Sequence, residues 1–262
     1  MAAECDLCGV TSGVEIEPEI FVCDGCGFVH VKKRRSPAEI AAAWSDVYKS
    51  GAYDPNWPGV KARLFYVAEW LDQKYGLNGK TVMDIGAGKG LFLDYVRNRG
   101  ALTAGIEPDA GNCAIVRSKG HQCVAATLEE VEPSKFNLVT VLWTLENCGD
   151  CLGFLKHAKK FLKRGGVMVV ATGSRILVPY KKPYSYYFGQ QAPDLHCYRW
   201  HPDTLELALS KAGLEVLAHN DYFQRDELIA VARICERDEP IMPYDLPEET
   251  VKFFRSWKET FP

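Results

Sequence analysis

The sequence has no apolar run approaching the ~18 residues of a membrane-spanning helix. Its first residues, MAAECDLCG, are polar with an early acid and carry no apolar leader core. Both absences point to a cytoplasmic protein without a membrane partner. Surplus charge is missing as well: 31 Lys and Arg face 34 Asp and Glu, a formal net charge of -3. Bulk attraction to nucleic acid or to an anionic lipid surface needs a basic excess, so neither partner is expected. Internal repeats and low-complexity tracts are absent too. What remains, 47% hydrophobic and 25% charged residues over 262 positions, is the composition of an ordinary globular chain with room for one large core and a small appendage.

Cysteine is the residue the chain does have, ten in all. Four form a pattern, CDLCG (Cys5, Cys8) and CDGCG (Cys23, Cys26). A Cys-x-x-Cys turn brings two thiolates onto one ion, and the glycine after each pair (Gly9, Gly27) lets the backbone turn tightly. Two such turns joined by a hairpin supply four sulfurs at tetrahedral corners, the ligand set of a structural zinc ribbon. Four ligands close the shell, so this metal would hold structure and not do chemistry. His30 is a fifth candidate ligand that a filled shell does not need. A redox reading would want a single reactive pair beside a βαβ unit.

Behind the ribbon, Lys32 to Arg35 form a basic run that reads as a solvated hinge. Ser36, Pro37 and Glu39 then spell a helix start with a capping box. From Lys80 onward strand-like segments (80–85, 102–106, 121–125, 137–142, 166–172) alternate with helical ones (90–99, 109–119, 150–163), the signature of an α/β parallel sheet. Two late strands on a short connection predict antiparallel neighbours. The final segment reads as a short amphipathic helix with Phe253, Phe254 and Trp257 near one face. The division expected is ribbon 1–35, helical cap 36–78, main domain 79–235 with an aromatic lid at 179–201, and a helical tail 236–262.

The stretch VMDIGAGKG ends an apolar strand at Asp84 and continues as Gly86-Ala87-Gly88-Lys89-Gly90 into a helix. The third glycine comes one residue early for a nicotinamide fingerprint, and no Ser or Thr follows Lys89 as a triphosphate loop requires. The next strand ends in Glu107, an acid able to accept both hydroxyls of a ribose. After the third strand, Thr127 and Leu128 are placed to border an adenine.

Three sets of residues, Asp84–Gly90, Gly105-Ile106-Glu107-Pro108-Asp109 and Leu162-Lys163-Arg164-Gly165-Gly166, resemble the class I S-adenosylmethionine-dependent methyltransferases. The resemblance implies a Rossmann-like seven-stranded sheet with its last strand antiparallel. It also implies S-adenosylmethionine on Asp84, Gly86, Ala87, Gly88, Gly90, Glu107, Pro108, Thr127 and Leu128, with Leu142 and Trp143 lining the pocket. The ribbon, the Ser-Pro-x-Glu helix and the Tyr-containing linker are similar to a subgroup acting on nucleotide-linked sugars or other saccharide precursors. That subgroup usually reads Leu-Glu-His after the fourth strand, whereas this chain has Leu145-Glu146-Asn147, so its base must lie elsewhere.

Methyl transfer to a hydroxyl or carbon needs a positioned acceptor and a group to take its proton. The aromatic stretch from Pro179 to Leu205 (Tyr180, Tyr184, Tyr186, Tyr187, Phe188, Tyr198, Trp200) is a candidate lid. Within it His196 is the first candidate base and Tyr198 the second, while His201 reads as a helix cap. Cys148 and Cys151 form another Cys-x-x-Cys; a second metal there would need two more ligands, with His196 or Cys197 conceivable in space, whereas a single pair beside a helix start reads as incidental. A small-molecule methyltransferase is the expectation. An RNA-base methyltransferase, against which stand the charge and the lack of an Asn/Asp-Pro-Pro-aromatic motif, and an inactive zinc-bearing binding module are the alternatives.

Overall fold

The structure, a computed structural model, describes residues 4–51, 53–173, 183–188, 196–220, 227–235 and 247–262. Most of the expected lid (179–182, 189–195, with Tyr180) and the side chains of Tyr186 and Tyr187 lie outside that set, as does 236–246 of the tail.

The chain opens with three short strands, β1 (Gly13–Glu17), β2 (Ile20–Cys23) and β3 (Val29–Val31). Helices α1 (Pro37–Ser50) and α2 (Pro58–Tyr75) follow. Next come β4 (Thr81–Ile85), α3 (Leu91–Arg97), β5 (Leu102–Ile106), α4 (Ala110–Ser118), β6 (Gln122–Val124), β7 (Phe136–Leu142), α5 (Cys151–Lys159) and β8 (Leu162–Gly173). The remainder is α6 (Tyr184–Phe188), β9 (Tyr198–Arg199), α7 (Pro202–Lys211), β10 (Leu214–His219), β11 (Glu227–Ile234) and α8 (Pro247–Thr260).

Seven strands make the main sheet in the order β10-β11-β8-β7-β4-β5-β6. β4 pairs parallel with β5 and β7, and β7 with β8, while β11 runs antiparallel to both β8 and β10. This is the sheet expected from the sequence, and β8 is longer than read because it begins at Leu162, before the glycine pair. Side chains alternate across it with period two. Val82, Leu138, Val169 and Ile229 pack under α2 and α3 with Val67, Leu71, Phe92 and Val96. Met83, Val139, Val170 and Ala230 face the opposite core with Leu155 of α5 and Leu205 and Leu209 of α7. Both faces are covered, as a mostly parallel sheet requires.

The ribbon does not sit apart. Its sheet has the order β1-β2-β3-β9, so a main-domain strand completes it, with His30 opposite Tyr198 and Val29 opposite Arg199. Phe28 stacks on Tyr198 at 5.2 Å and meets Trp200 at 4.8 Å. Cys5, Leu7, Cys26 and Phe28 therefore belong to the same core as Leu155 and Leu205. On its other side the ribbon contributes Val22 and Val29 to a third cluster with Tyr184, Phe254 and Trp257. The amphipathic C-terminal helix is thus α8, docked on the ribbon.

Two local expectations change. The basic run is no solvated hinge at Arg34, whose guanidinium donates to the carbonyls of Val31 and Glu4, pairs with Asp6, and lies 5.8 Å from the Tyr198 ring centre. Tyr184 and Phe188 do not cover a pocket. They pack on Trp257, a fate that a run of aromatics does not reveal until its partner helix is known. His201 caps α7 as read, its Nδ1 accepting from Asp203 N at 3.3 Å.

Candidate active site

One cavity of about 1340 Å3 opens at the carboxyl ends of β4, β5 and β7. Here the strand order reverses on either side of β4, the place where open α/β sheets bind ligands. The glycine loop forms its floor. Gly86, Gly88 and Gly90 have φ of 81°, 53° and 74°, the left-handed region where a Cβ is unfavourable. A Cβ on Gly86 would also collide with Thr144 Oγ1. The Gly86 and Ala87 amides donate to Ile106 O at 2.8 and 3.1 Å, tying the loop to β5.

Two buried acids flank this loop. Asp84 is 3% exposed and accepts from Thr140 Oγ1 at 2.7 Å; burial pushes its carboxyl up to about 7, and the charge of Glu107 adds to the shift. Glu107 accepts from Gly88 N at 2.7 Å and Asp109 N at 3.0 Å, and burial raises it as well. Its carboxylate stands on the cavity wall with Pro108, and Thr127 and Leu128 border the same side. Thr127 opens a 3-10 turn with a capping box to Glu130, which fixes its backbone. Thus Asp84, Gly86, Ala87, Gly88, Glu107, Pro108, Thr127, Leu128, Leu142 and Trp143 all line one cavity. Gly90 stands behind them, as the cap of α3 against Val116.

Trp143 holds φ at 52°, rare for an aromatic residue, directly after β7. Such a conformation costs of order 1–3 kcal/mol and persists where surroundings over-determine it. Here the Trp143 amide donates to Ala171 O at 2.7 Å and its carbonyl accepts from Asn147 Nδ2 at 3.2 Å. Arg63 of α2 lies over the indole, 4.2 Å from the ring centre, and its buried Nε has no hydrogen-bond partner among the described residues. The sequence reading missed Arg63, and it missed Trp44 and Tyr48 of α1, which form part of the cavity wall. An arginine facing inward from an amphipathic helix carries no local signal. The aromatic content of the linker (Trp44, Tyr48, Tyr53, Trp57) was the available one.

On the far side of the cavity stand Glu146, Asn147, Cys148, Gly149, His196 and Tyr198. Tyr198 is 1% exposed and donates its hydroxyl to Gly149 O at 2.9 Å, and burial raises its pKa. Cys197 N donates to Glu146 O at 2.7 Å and Val31 N to Cys197 O at 2.9 Å. Through these bonds β9, the turn at 145–147 and the ribbon share one wall, with His196 at its edge. Gly149 is required there, because a Cβ would strike Arg35 O. Burial pushes the Cys148 and Cys151 thiols up, which favours the neutral thiol over the thiolate, and they join no metal-ligating cluster among the described residues.

Sulfurs of Cys5, Cys8, Cys23 and Cys26 converge within 4.8 Å of one another, with Cys5–Cys26 at 3.6 Å and Cys8–Cys23 at 3.4 Å. A tetrahedral zinc with bonds of about 2.3 Å puts its sulfurs roughly 3.8 Å apart, so the donor set fits such an ion. None of the four is in a disulfide. Cys5, Cys23 and Cys26 are buried and Cys8 is half-buried, and none of the four lines the cavity.

Comparison with known proteins agrees with this geometry. A methyltransferase domain model matches residues 61–219, more than half of the chain. A ubiquinone biosynthesis O-methyltransferase of Bradyrhizobium sp. (strain ORS 278) is 32% identical over 128 residues, 43% of this chain and 51% of that one. Its namesake from Rhodopseudomonas palustris (strain BisB5) is 33% identical over 160 residues, 53% of this chain and 62% of that one. The chain thus spans only half to three-fifths of the length of these relatives. Among solved structures, the 1,6-didemethyltoxoflavin-N1-methyltransferase of Burkholderia thailandensis, holding 1,6-didemethyltoxoflavin and S-adenosylhomocysteine, superposes with a TM-score of 0.62 at 13% identity. That match covers 86% of this chain and 100% of that one. No helix among the described residues is long and apolar enough to cross a membrane. The chain belongs to the methyltransferase domain family, with the fold of the class I S-adenosylmethionine-dependent enzymes.

Proposed function

We propose that this protein methylates a hydroxyl group of a small-molecule acceptor with S-adenosylmethionine, and that a structural zinc in the four-cysteine cluster holds the acceptor-side wall. The single observation that carries the reading is the shared cavity, with the glycine loop and Glu107 on one side and His196 and the ribbon-braced turn on the other. When bound, S-adenosylmethionine supplies the electrophilic methyl group. Glu107 accepts from the ribose hydroxyls, the glycine loop lies under the methionine end, and Thr127 and Leu128 border the adenine. Arg63, fixed over Trp143, takes the carboxylate of that methionine end by a charge-assisted hydrogen bond.

On the acceptor side His196 is the proposed base, supported by its place at the cavity edge and the pKa range of imidazole. Tyr198 is the second candidate; its bond to Gly149 O favours a positioning task. The relatives are named ubiquinone biosynthesis O-methyltransferases, which supports an oxygen acceptor, while the N-terminal layout favours a saccharide-linked hydroxyl. The slightly acidic overall charge does not favour RNA. An assay with methyl-labelled S-adenosylmethionine across nucleotide-sugars, catechols and short RNAs tests the reading. Labelling of a sugar or phenol hydroxyl, reduced at least about tenfold in His196→Ala as for a lost general base, is the expected result. No labelling of any small molecule, with RNA labelled instead, overturns it.

The elevated Asp84 carboxyl supplies a pH signature. With its pKa near 7 it is partly protonated at neutrality, and a cationic ligand group nearby favours the charged form. Binding S-adenosylmethionine should therefore release up to about half a proton at pH 7, and more toward pH 6. Affinity should rise from about pH 6 to about pH 8, then level off. Calorimetry in two buffers of different ionisation enthalpy reads the proton directly, and Asp84→Asn should abolish the slope.

A further inference from the structure

Helix α1 is well formed yet has no buried residue. It has a complete capping box at Ser36 and Glu39 and a left-handed glycine stop at Gly51, but Ile40, Trp44 and Tyr48 look into the cavity instead of into a core. An amphipathic helix normally hides its apolar face, because helix stability in proteins comes mainly from tertiary packing. Among the described residues that face lines the cavity. Asp109 Oδ1 caps α4 by accepting from Asn112 N at 2.8 Å, which holds its carboxyl below the usual range, and Ser45 of α1 lies near that carboxylate and adds to the effect. Asp109 lies two residues beyond Glu107.

Tyr48 projects from this helix over the glycine loop. Its hydroxyl is 3.3 Å from the point a Cβ on Gly88 would occupy, in the field of Glu107 and Asp109. Among the described residues it has no hydrogen-bond partner, while both Glu107 oxygens are already engaged with amides. Trp44 and Tyr53 brace the ring at 6.0 and 5.7 Å, and the Lys89 ammonium lies 5.9 Å from its centre. A phenol fixed this way is a donor waiting for an oxygen at the Glu107 end of the cavity.

We infer that α1 is the outer wall of the nucleoside subsite, with the Tyr48 hydroxyl donating to a ribose oxygen of the cofactor and Trp44 covering it. The inference rests on the S-adenosylmethionine reading of the cavity. Glu107 then accepts from the ribose hydroxyls on one side while Tyr48 donates from the other. Among the described residues α1 walls the Glu107 side, which leaves the His196 side for the acceptor.

The test uses the full-length, zinc-loaded protein with S-adenosylhomocysteine and 5′-methylthioadenosine as probes, titrated calorimetrically. Tyr48→Phe keeps the ring and the fold and removes one donor, so both probes should weaken by roughly five- to tenfold, the worth of one hydrogen bond. Tryptophan fluorescence should change on binding, and Trp44→Phe should reduce that signal, leaving the part that comes from Trp57 and Trp143 on the same cavity. If Tyr48→Phe binds both probes as the parent does while Glu107→Ala does not, the Tyr48 assignment is wrong and the cofactor site stands. If only S-adenosylhomocysteine weakens, Tyr48 serves the amino-acid end and the nucleoside assignment is overturned. If neither Tyr48→Phe nor Glu107→Ala changes binding, the cofactor reading itself fails.

Discussion

Cys23→Ala protein is expected to purify without zinc, to lose the ribbon as a folded unit, and yet to bind S-adenosylhomocysteine within about threefold of the parent. The ribbon strands are five, four and three residues long, too short to bury a core of their own. Metal binding, worth roughly 10–16 kcal/mol in zinc-finger peptides, is the term large enough to order them. Losing it exposes Phe28 and releases β9 from β3, which in turn frees Tyr198 from Gly149 and His196 from the cavity edge. The floor of the cavity, by contrast, is built on β4 and β5 in the middle of the other sheet. Metal content by atomic emission, near-ultraviolet dichroism and calorimetry separate the two halves. Stoichiometric zinc in Cys23→Ala, or lost cofactor binding with zinc retained, would contradict the division of labour.

Glu107→Ala is expected to weaken S-adenosylhomocysteine by at least about 100-fold, more than any other single change in the cavity. Charged hydrogen bonds contribute roughly 1.5–3 kcal/mol each, and the truncation removes those to ligand together with the two that order Gly88 and Asp109. Glu107→Gln keeps one acceptor oxygen and should fall between parent and Ala. The loop amides of Gly88 and Asp109 would lose their acceptor in the alanine protein, so a drop in thermal stability should accompany the lost affinity. Titration of the two variants and the parent by calorimetry checks the order, and an alanine variant that still binds within about threefold would falsify the role of Glu107.

The parts of this site legible in the sequence are those where chemistry restricts the residue. Positive φ at Gly86, Gly88 and Gly90 admits little besides glycine, an acid at the end of β5 has few structural uses, and two Cys-x-x-Cys-Gly turns are built to bring four sulfurs together, as they do here. The apolar runs spaced by helical segments marked the sheet for a related reason: a mostly parallel sheet is covered on both faces, so its strands read as continuous apolar stretches. What could not be read were placements decided by distant partners. Nothing near Arg63 says that it will lie on Trp143, and nothing near Trp143 says that its backbone will turn left-handed. Tyr184 and Phe188 looked like a lid because their partners on α8 lie far along the chain. The two-residue strand β9 is too short to show any periodicity.

That short strand makes the N-terminal segment a poor candidate for independent transplantation. Cut out at residue 35, it would keep its four sulfurs but leave β3 as a bare edge, with the backbone groups of Val29 and Val31 open to pairing with any passing chain. Its last partner is contributed by residues near 198, so the ribbon can be completed only after most of the protein has been synthesised. Exchange of ribbons between relatives would have to carry the 196–200 segment along, and with it one side of the acceptor pocket.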